Sequence, residues 1–234
     1  MPDWFETMDD DLWLRPDEVG QDEAHFLKDA LHLRQGQAVL DAPCGAGRIA
    51  VHLARAGCHV TGYDLREAFI ARATKRFRDA GLDGAFVIGD LRTMDFQGEF
   101  HAAFNWLGSF GYFDDGGNLE VAKRYARALL PGGRLLIDQP NREFLIRNFV
   151  AVRDAGSLTV RNRWDREAER VISERVIGGV SAPRNRSSMR LYTPLQMRLL
   201  LEEAGLRAEA MYGSSAGDGW RRSSRRMITV ARKQ

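Results

Sequence analysis

No run in this 234-residue chain approaches the ~20 consecutive apolar residues of a membrane span, which excludes a helical membrane protein. The acidic opening, Met1 to Asp11, lacks the basic-then-apolar order of a secretory signal, and the chain reads as cytoplasmic. Cysteine is scarce: Cys44 and Cys58 stand alone, outside any disulfide or metal-ligand spacing. The five histidines, His25, His32, His52, His59 and His101, have no carboxylate or thiol partner at helical spacing, so no metal is expected. Lysine is nearly absent, 4 against 30 arginines, which points to a GC-rich bacterial genome and carries no information about substrate. There is no internal repeat and no low-complexity tract.

The net charge of +2 hides an asymmetry. Residues 142 to 234 carry 19 basic against 10 acidic side chains, while the rest of the chain is acidic by seven charges. An anionic partner for the basic part is conceivable on this count. However, its arginines interleave with acids, as in Arg161 to Arg170, the pattern of a solvated face, and nucleic acid is not favoured as a partner.

Apolar spacing from Val19 to Leu33 predicts a helix leading into a strand at 37–42. Helices at 47–56 and 66–80 then alternate with strands at 59–64 and 85–89, followed by a strand from Phe100 to Trp106, a helix at 118–130 stopped by Pro131-Gly-Gly133, and a strand from Arg134 to Asp138. Such alternation implies right-handed crossovers and a parallel sheet covered on both faces. Three β-branched segments then follow, Leu158–Trp164, Arg170–Ile177 and Ser187–Tyr192, reading as an antiparallel meander. A helix at 194–204 ending at Gly205 and strands at 206–212 and 226–232 close the chain as a hairpin, giving the parallel sheet an antiparallel edge.

The chemistry concentrates at strand ends. The first strand ends in Asp41 and breaks into the turn Ala42-Pro-Cys-Gly-Ala-Gly-Arg48, with Gly45 and Gly47 ahead of a helix. Glycines let a ligand approach the backbone, and the following helix offers unpaired N–H groups. Asp64 ends the second strand and Asp90 the third. Gly45, Gly47 and Ala50 also satisfy a loose dinucleotide fingerprint, making an NAD-dependent oxidoreductase the first rival. Against that rival, the glycines come late, and a carboxylate beside the turn repels a pyrophosphate while favouring an ammonium.

On these residues the chain resembles the class I S-adenosylmethionine-dependent methyltransferases, over roughly residues 19–141 and 190–232. Asn105 to Phe113, Pro131-Gly-Gly133, Asp138-Gln-Pro-Asn141 and Arg190-Leu-Tyr-Thr-Pro194 further resemble bacterial small-molecule methyltransferases with an inserted meander. The resemblance implies an α/β, Rossmann-like doubly wound, mostly parallel sheet with an antiparallel C-terminal hairpin and a small inserted antiparallel β subdomain. It implies one methyltransferase domain over 1–234, made of an N-terminal helical lid (1–35), a cofactor-binding core (37–141), a meander over the active site (142–192), and a C-terminal helix and hairpin (193–234). S-adenosyl-L-methionine is the implied cofactor. Asp41, Ala42, Pro43, Gly45, Gly47 and Arg48 would face its methionine part, Asp64 and Leu65 its ribose, and Asp90 and Leu91 its adenine. Asn105 and Trp106, ending the fourth strand, would border the reacting methyl.

Trp106, Phe110 and Tyr112 are candidates for an aromatic wall beside a sulfonium. Phe110, Tyr112, Asn141, Arg190 and Tyr192 are the candidates for the acceptor site, and Trp4 and Trp13 for a lid. Each has a bland alternative: Asp64 as a helix N-cap, Asp90 as a turn residue, Trp106 and Phe110 as core. No residue is identified as catalytic, because the 105–113 segment holds no isolated His or Glu. The expected activity is in-line methyl transfer to an N, O or C atom of a small-molecule acceptor. An RNA or protein methyltransferase and a nonenzymatic cofactor-binding module remain as alternatives. The oligomeric state is open, with the meander as the surface for a homodimer.

Overall fold

The computed structural model describes residues 19–156, 158–177 and 185–234. Trp4, Trp13 and most of the expected lid lie outside the described residues.

A helix α1 (Gly20–Ala30) leads into five strands with three intervening helices: β1 (Ala38–Asp41), α2 (Ala50–Arg55), β2 (His59–Asp64), α3 (Glu67–Asp79), β3 (Ala85–Ile88), β4 (Phe100–Asn105), α4 (Asp115–Ala128) and β5 (Leu129–Pro140), with no helix between β3 and β4. Next come α5 (Arg142–Arg147), β6 (Val152–Ala155), β7 (Leu158–Asp165), β8 (Arg170–Ile177), β9 (Asn185–Arg190), α6 (Pro194–Glu203), β10 (Leu206–Tyr212) and β11 (Arg226–Lys233). One sheet has the order β10-β11-β5-β4-β1-β2-β3. Its β5, β4, β1, β2 and β3 run parallel, and β11 pairs antiparallel with both β5 and β10. A separate antiparallel sheet has the order β6-β7-β8-β9. No helix among the described residues is long and apolar enough to cross a membrane.

The strand period of two divides the apolar residues between the sheet's faces. Ala103, Leu135 and Ile137 join one core cluster with Tyr125 of α4 and Met197 and Leu201 of α6. Ala102, Phe104 and Leu136 join the other, with Phe26 and Leu27 of α1, Leu53 of α2 and Phe77 of α3. Central strands packed on both faces need unbroken apolar runs, as in Ala102-Ala-Phe104, all fully buried.

Several boundaries differ from the sequence reading. Helix α4 starts three residues early because the Asp114 carboxylate accepts from the Gly117 N–H at 2.7 Å as its N-cap. The Pro131-Gly-Gly133 stop does not separate helix from strand. Leu129 already pairs with Phe100, and the ladder shifts register before Ala102 pairs with Arg134. The meander has four strands rather than three, with the short β6 pairing along one edge of β7. Its last strand ends at Arg190, since Leu191 and Tyr192 leave the sheet for the core. Helix α5 was not foreseen; its start is marked by Asn141, whose side chain caps the Glu143 N–H. Thr193-Pro194 opens α6 with a full capping box between Thr193 and Gln196.

Candidate functional site

In an open parallel sheet, ligands bind beyond the carboxyl ends of the strands where the order reverses, here between β1 and β4. Asp41 ends β1 at this point and is only 3% exposed. Nevertheless, no described residue donates a hydrogen bond to its carboxylate. Burial pushes its pKa well up, the neighbouring Asp64 charge pushes it further, and Arg48 draws it partly back. An unbonded buried carboxylate is costly, and a cation relieves that cost.

The turn after Asp41 forms one unit with Asp64. The Gly45 N–H donates to Asp64 Oδ2 at 2.8 Å, and the Arg66 N–H donates to Oδ1 at 2.9 Å. Asp64 therefore organises the turn and is not the N-cap of α3, a position Arg66 holds. Burial raises the Asp64 pKa against these backbone donors. A Cβ at Gly45 would meet nothing within 4 Å, so the turn faces open space there, whereas at Gly47 it would lie 3.0 Å from the Ala73 Cβ. With its φ of +70°, Gly47 lets the turn press onto α3.

Asp90 lies beyond β3, half-buried, with Arg92 donating from Nε at 3.1 and 3.0 Å. Burial would raise its pKa, but these bonds outweigh burial and hold it below the usual range. Leu65 is exposed beside Asp64.

At the end of β4, Asn105 is fully buried and donates to Tyr125 Oη at 3.1 Å, while its Oδ1 has no partner among the described residues. Tyr125 Oη in turn donates to the Ala42 carbonyl. This tyrosine ties the ends of β1 and β4 across the crevice, and burial pushes its pKa up. Sequence reading missed it because it sits on the apolar face of α4 with Val121 and Ala122.

Other expected site residues are placed differently. Trp106 and Phe110 do not share a wall, because they belong to core clusters on opposite faces of the sheet. Trp106 packs 5.9 Å from Phe26, and the Arg226 guanidinium lies 4.1 Å from its ring centroid. Phe110 is buried beside Tyr192, ring centroids 6.0 Å apart, and Tyr112 is half-buried. Asn141 spends its amide on the protein, donating to the carbonyls of Arg221, Arg222 and Ser224 and accepting from the Glu143 N–H.

Buried Arg190 and Tyr192 belong to a polar lock between the second sheet and the exposed Asp115 at the start of α4. Arg190 Nε and Tyr192 Oη both donate to Asp115 Oδ1 at 3.1 Å, Arg190 Nη2 pairs with Glu169 at 2.6 Å, and Asn118 donates to Tyr192 Oη at 2.9 Å. Arg48, expected at the turn, is buried and paired with Glu23 of α1. The second sheet is fastened to the segment after β4: Arg170 donates to the carbonyls of Gly111, Tyr112 and Phe113, and the Arg190 N–H to Gly111 O at 2.7 Å. A Cβ at Gly111, φ +103°, would lie 2.3 Å from the Arg190 carbonyl.

This arrangement can be set beside known proteins. Residues 39–133, from the middle of β1 to the start of the last parallel strand, match the family model described as a methyltransferase domain. The cypemycin N-terminal methyltransferase of Streptomyces is 26% identical over 211 residues, covering 85% of this chain and 84% of that protein. The chain is an S-adenosylmethionine-dependent methyltransferase. Its fold is shared by the CcbJ methyltransferase of Streptomyces caelestis, with a TM-score of 0.79 at 18% identity over 97% of this chain and 99% of that one. It is shared as well by S-adenosylmethionine-bound CalS10, an amino pentose methyltransferase from Micromonospora echinaspora, with a TM-score of 0.65 at 19% identity over 95% and 93%. The cofactor of this methyltransferase is S-adenosylmethionine. The acids and the open turn fit it: a buried carboxylate that accepts no hydrogen bond from the described residues, a spare amide oxygen and a glycine facing open space meet a molecule with ammonium and hydroxyl donors.

Proposed function

We propose that this methyltransferase acts on the amine nitrogen of a small-molecule acceptor, and that the donor lies along the carboxyl ends of β1, β2 and β3. Asp41 takes the ammonium of the methionine part against the open turn at Gly45, with Ala42, Pro43 and Gly47 shaping that turn. Asp64, whose oxygens each retain acceptor capacity beside one backbone donor, takes the ribose hydroxyls next to exposed Leu65. Asp90 and Leu91 border the adenine, and Asn105 offers its free Oδ1 at the methyl end. The observation that carries the reading is Asp41, a buried carboxylate that no described residue satisfies.

S-adenosylmethionine supplies a methyl group already activated on a sulfonium. The chain's part is alignment and exclusion of water. A neutral amine attacks with its own lone pair and needs no base, which agrees with the absence of His and Glu from residues 105–113. The name of one relative, an N-terminal methyltransferase, and the amine-bearing substrate named for a structural neighbour, an amino pentose methyltransferase, support an amine acceptor, and the second sheet fastened to Gly111–Phe113 walls the acceptor side in a way that suits a small molecule.

Calorimetric titration with S-adenosylhomocysteine, paired with turnover of labelled donor on a panel of amino sugars and short peptides, tests this. Stoichiometric binding that Asp64→Ala weakens at least tenfold is expected, with label transferred to an amine. Unaltered affinity in Asp64→Ala, or stoichiometric NAD binding instead, would overturn the assignment, and transfer confined to alcohols or carbon acids would overturn the amine.

A further inference from the structure

Arg48 is an unusual neighbour for a cation-binding acid. It follows the glycine turn directly, is buried, and its charge reaches Asp41, offsetting part of the rise that burial and Asp64 impose on that carboxylate. An arginine beside an acid waiting for an ammonium is a competitor, because its fork pairs with carboxylates in two-bond geometry. Here the fork is turned elsewhere. Nη2 is bonded to Glu23 Oε2 of α1, and Nη1 is buried without a hydrogen-bond partner among the described residues. Glu23 is itself buried on the inner face of α1.

The close approach is built into α1. A Cβ at Gly20 would lie 3.2 Å from Arg48 Cγ and 3.3 Å from Nη1, so the glycine opening the helix leaves room for the arginine to lie against it. Phe26, one turn after Glu23, packs on Trp106 and fixes the helix to the rim. Among the described residues the arginine is thus held by one bond while one arm stays unsatisfied, and a buried guanidinium that loses its partner gains from any carboxylate its charge already reaches, here Asp41.

We infer that Glu23 is a positioning residue for methyl-donor binding: it holds Arg48 away from Asp41, so that the Asp41 carboxylate stays free for the ammonium of S-adenosylmethionine. The inference rests on the role proposed for Asp41. It assigns α1 a task beyond packing, namely sequestering a basic side chain whose charge reaches the donor's carboxylate. Losing Glu23 therefore harms binding through Arg48, and removing Arg48 as well restores it.

That epistasis is the test. S-adenosylhomocysteine is titrated calorimetrically into the full chain as wild type, Glu23→Gln, Arg48→Met and the double variant, with thermal unfolding recorded for each. Glu23→Gln is expected to weaken binding at least tenfold, Arg48→Met to stay within threefold of wild type, and the double variant to return to the Arg48→Met value. A merely structural Glu23 would leave the double variant as weak as the single one, and that result overturns the proposal, as does an unchanged Glu23→Gln. A tenfold loss in Arg48→Met alone also overturns it, because Arg48 would then be a ligand. Should Glu23→Gln not fold, Glu23→Asp, which keeps the charge but shortens its reach, takes its place under the same criteria. Failure of the wild type to bind S-adenosylhomocysteine would instead strike the reading of the donor site.

Discussion

On the β1–β2 side of the rim, Asp41 accepts no hydrogen bond from the described residues and Asp64 accepts one backbone N–H on each oxygen, although both are buried. On the β5 side, Asn141 is equally buried, yet its amide meets three carbonyls and one N–H, and Arg190 and Tyr192 share Asp115, Glu169 and Asn118. Both regions hold polar side chains at strand ends, and both stood out in the sequence. What separates them is leftover bonding capacity. A buried polar group that has used its capacity inside the chain supports the fold, while one that has not requires a ligand or imposes a cost on the free protein.

Truncation should therefore act in opposite ways in the two regions, and the largest effect belongs to Asn141→Ala. It removes about three net hydrogen bonds of ~1 kcal/mol each and strands carbonyls of the 221–224 loop, so a loss of about 3 kcal/mol in stability is expected by denaturant unfolding. Affinity for S-adenosylhomocysteine, measured below the unfolding transition, should change less than threefold. A variant that unfolds normally but loses an order of magnitude in donor affinity would collapse the distinction.

Asp41→Asn is the mirror experiment. A charge-assisted bond to an ammonium is worth about 1.5–3 kcal/mol, so donor affinity should fall about 10- to 150-fold. The free protein should melt no lower than wild type, and higher where Asp41 is ionised, because the substitution removes an unsatisfied buried charge. A marked drop in melting temperature would mean that Asp41 is already satisfied in the fold.

The fold was open to a sequence reading wherever chemistry and period coincide. β2 and β10 were expected at the bounds they have, because apolar runs end there in Asp64 or begin after Gly205. The donor-side acids were visible because strand ends, glycines and carboxylates are all local features. The rest was set by partners distant in sequence. Asn141 meets residues eighty positions away, Arg190 and Tyr192 meet Asp115 across more than seventy, and nothing near them records that their capacity is used. Likewise, Trp106 and Phe110 are four residues apart but fall on opposite faces of the sheet, because the chain turns at Leu107 and Gly108, both at positive φ. Glu23 and Tyr125 carried only helix-face signals and were indistinguishable from packing residues.

The pH dependence sharpens the same contrast. In the free protein burial raises the Asp41 pKa above its ordinary value of about 3.9, whereas the bound ammonium favours the ionised form. Below that raised pKa, binding must expel a proton, so donor affinity should fall as pH drops through it and level off above it. Asp64 is raised in the same direction by its own burial, and the repulsion between the two acids separates their protonation into two steps. Stability runs the other way: the folded state holds the proton more tightly than the unfolded one, so it is highest below about pH 4 for this group and declines as pH rises to the folded pKa. Titrations with S-adenosylhomocysteine at successive pH values should show this limb in the wild type and a flattened one in Asp41→Asn.

The smallest effect is expected at Asp90, which lies between the two regions in character. It belongs to the donor side by position, but Arg92 already fills its carboxylate, and the pair is partly exposed. An ion pair in that setting contributes at most about 1 kcal/mol to stability, and its acceptor capacity for a ligand is partly used. Asp90→Asn should accordingly weaken S-adenosylhomocysteine about two- to fivefold, the equivalent of roughly 0.4–1 kcal/mol, with little change in melting temperature. A loss as large as that of Asp41→Asn would show that Arg92 releases the carboxylate on binding, and leftover capacity in the free protein would then cease to mark ligand-binding groups at this rim.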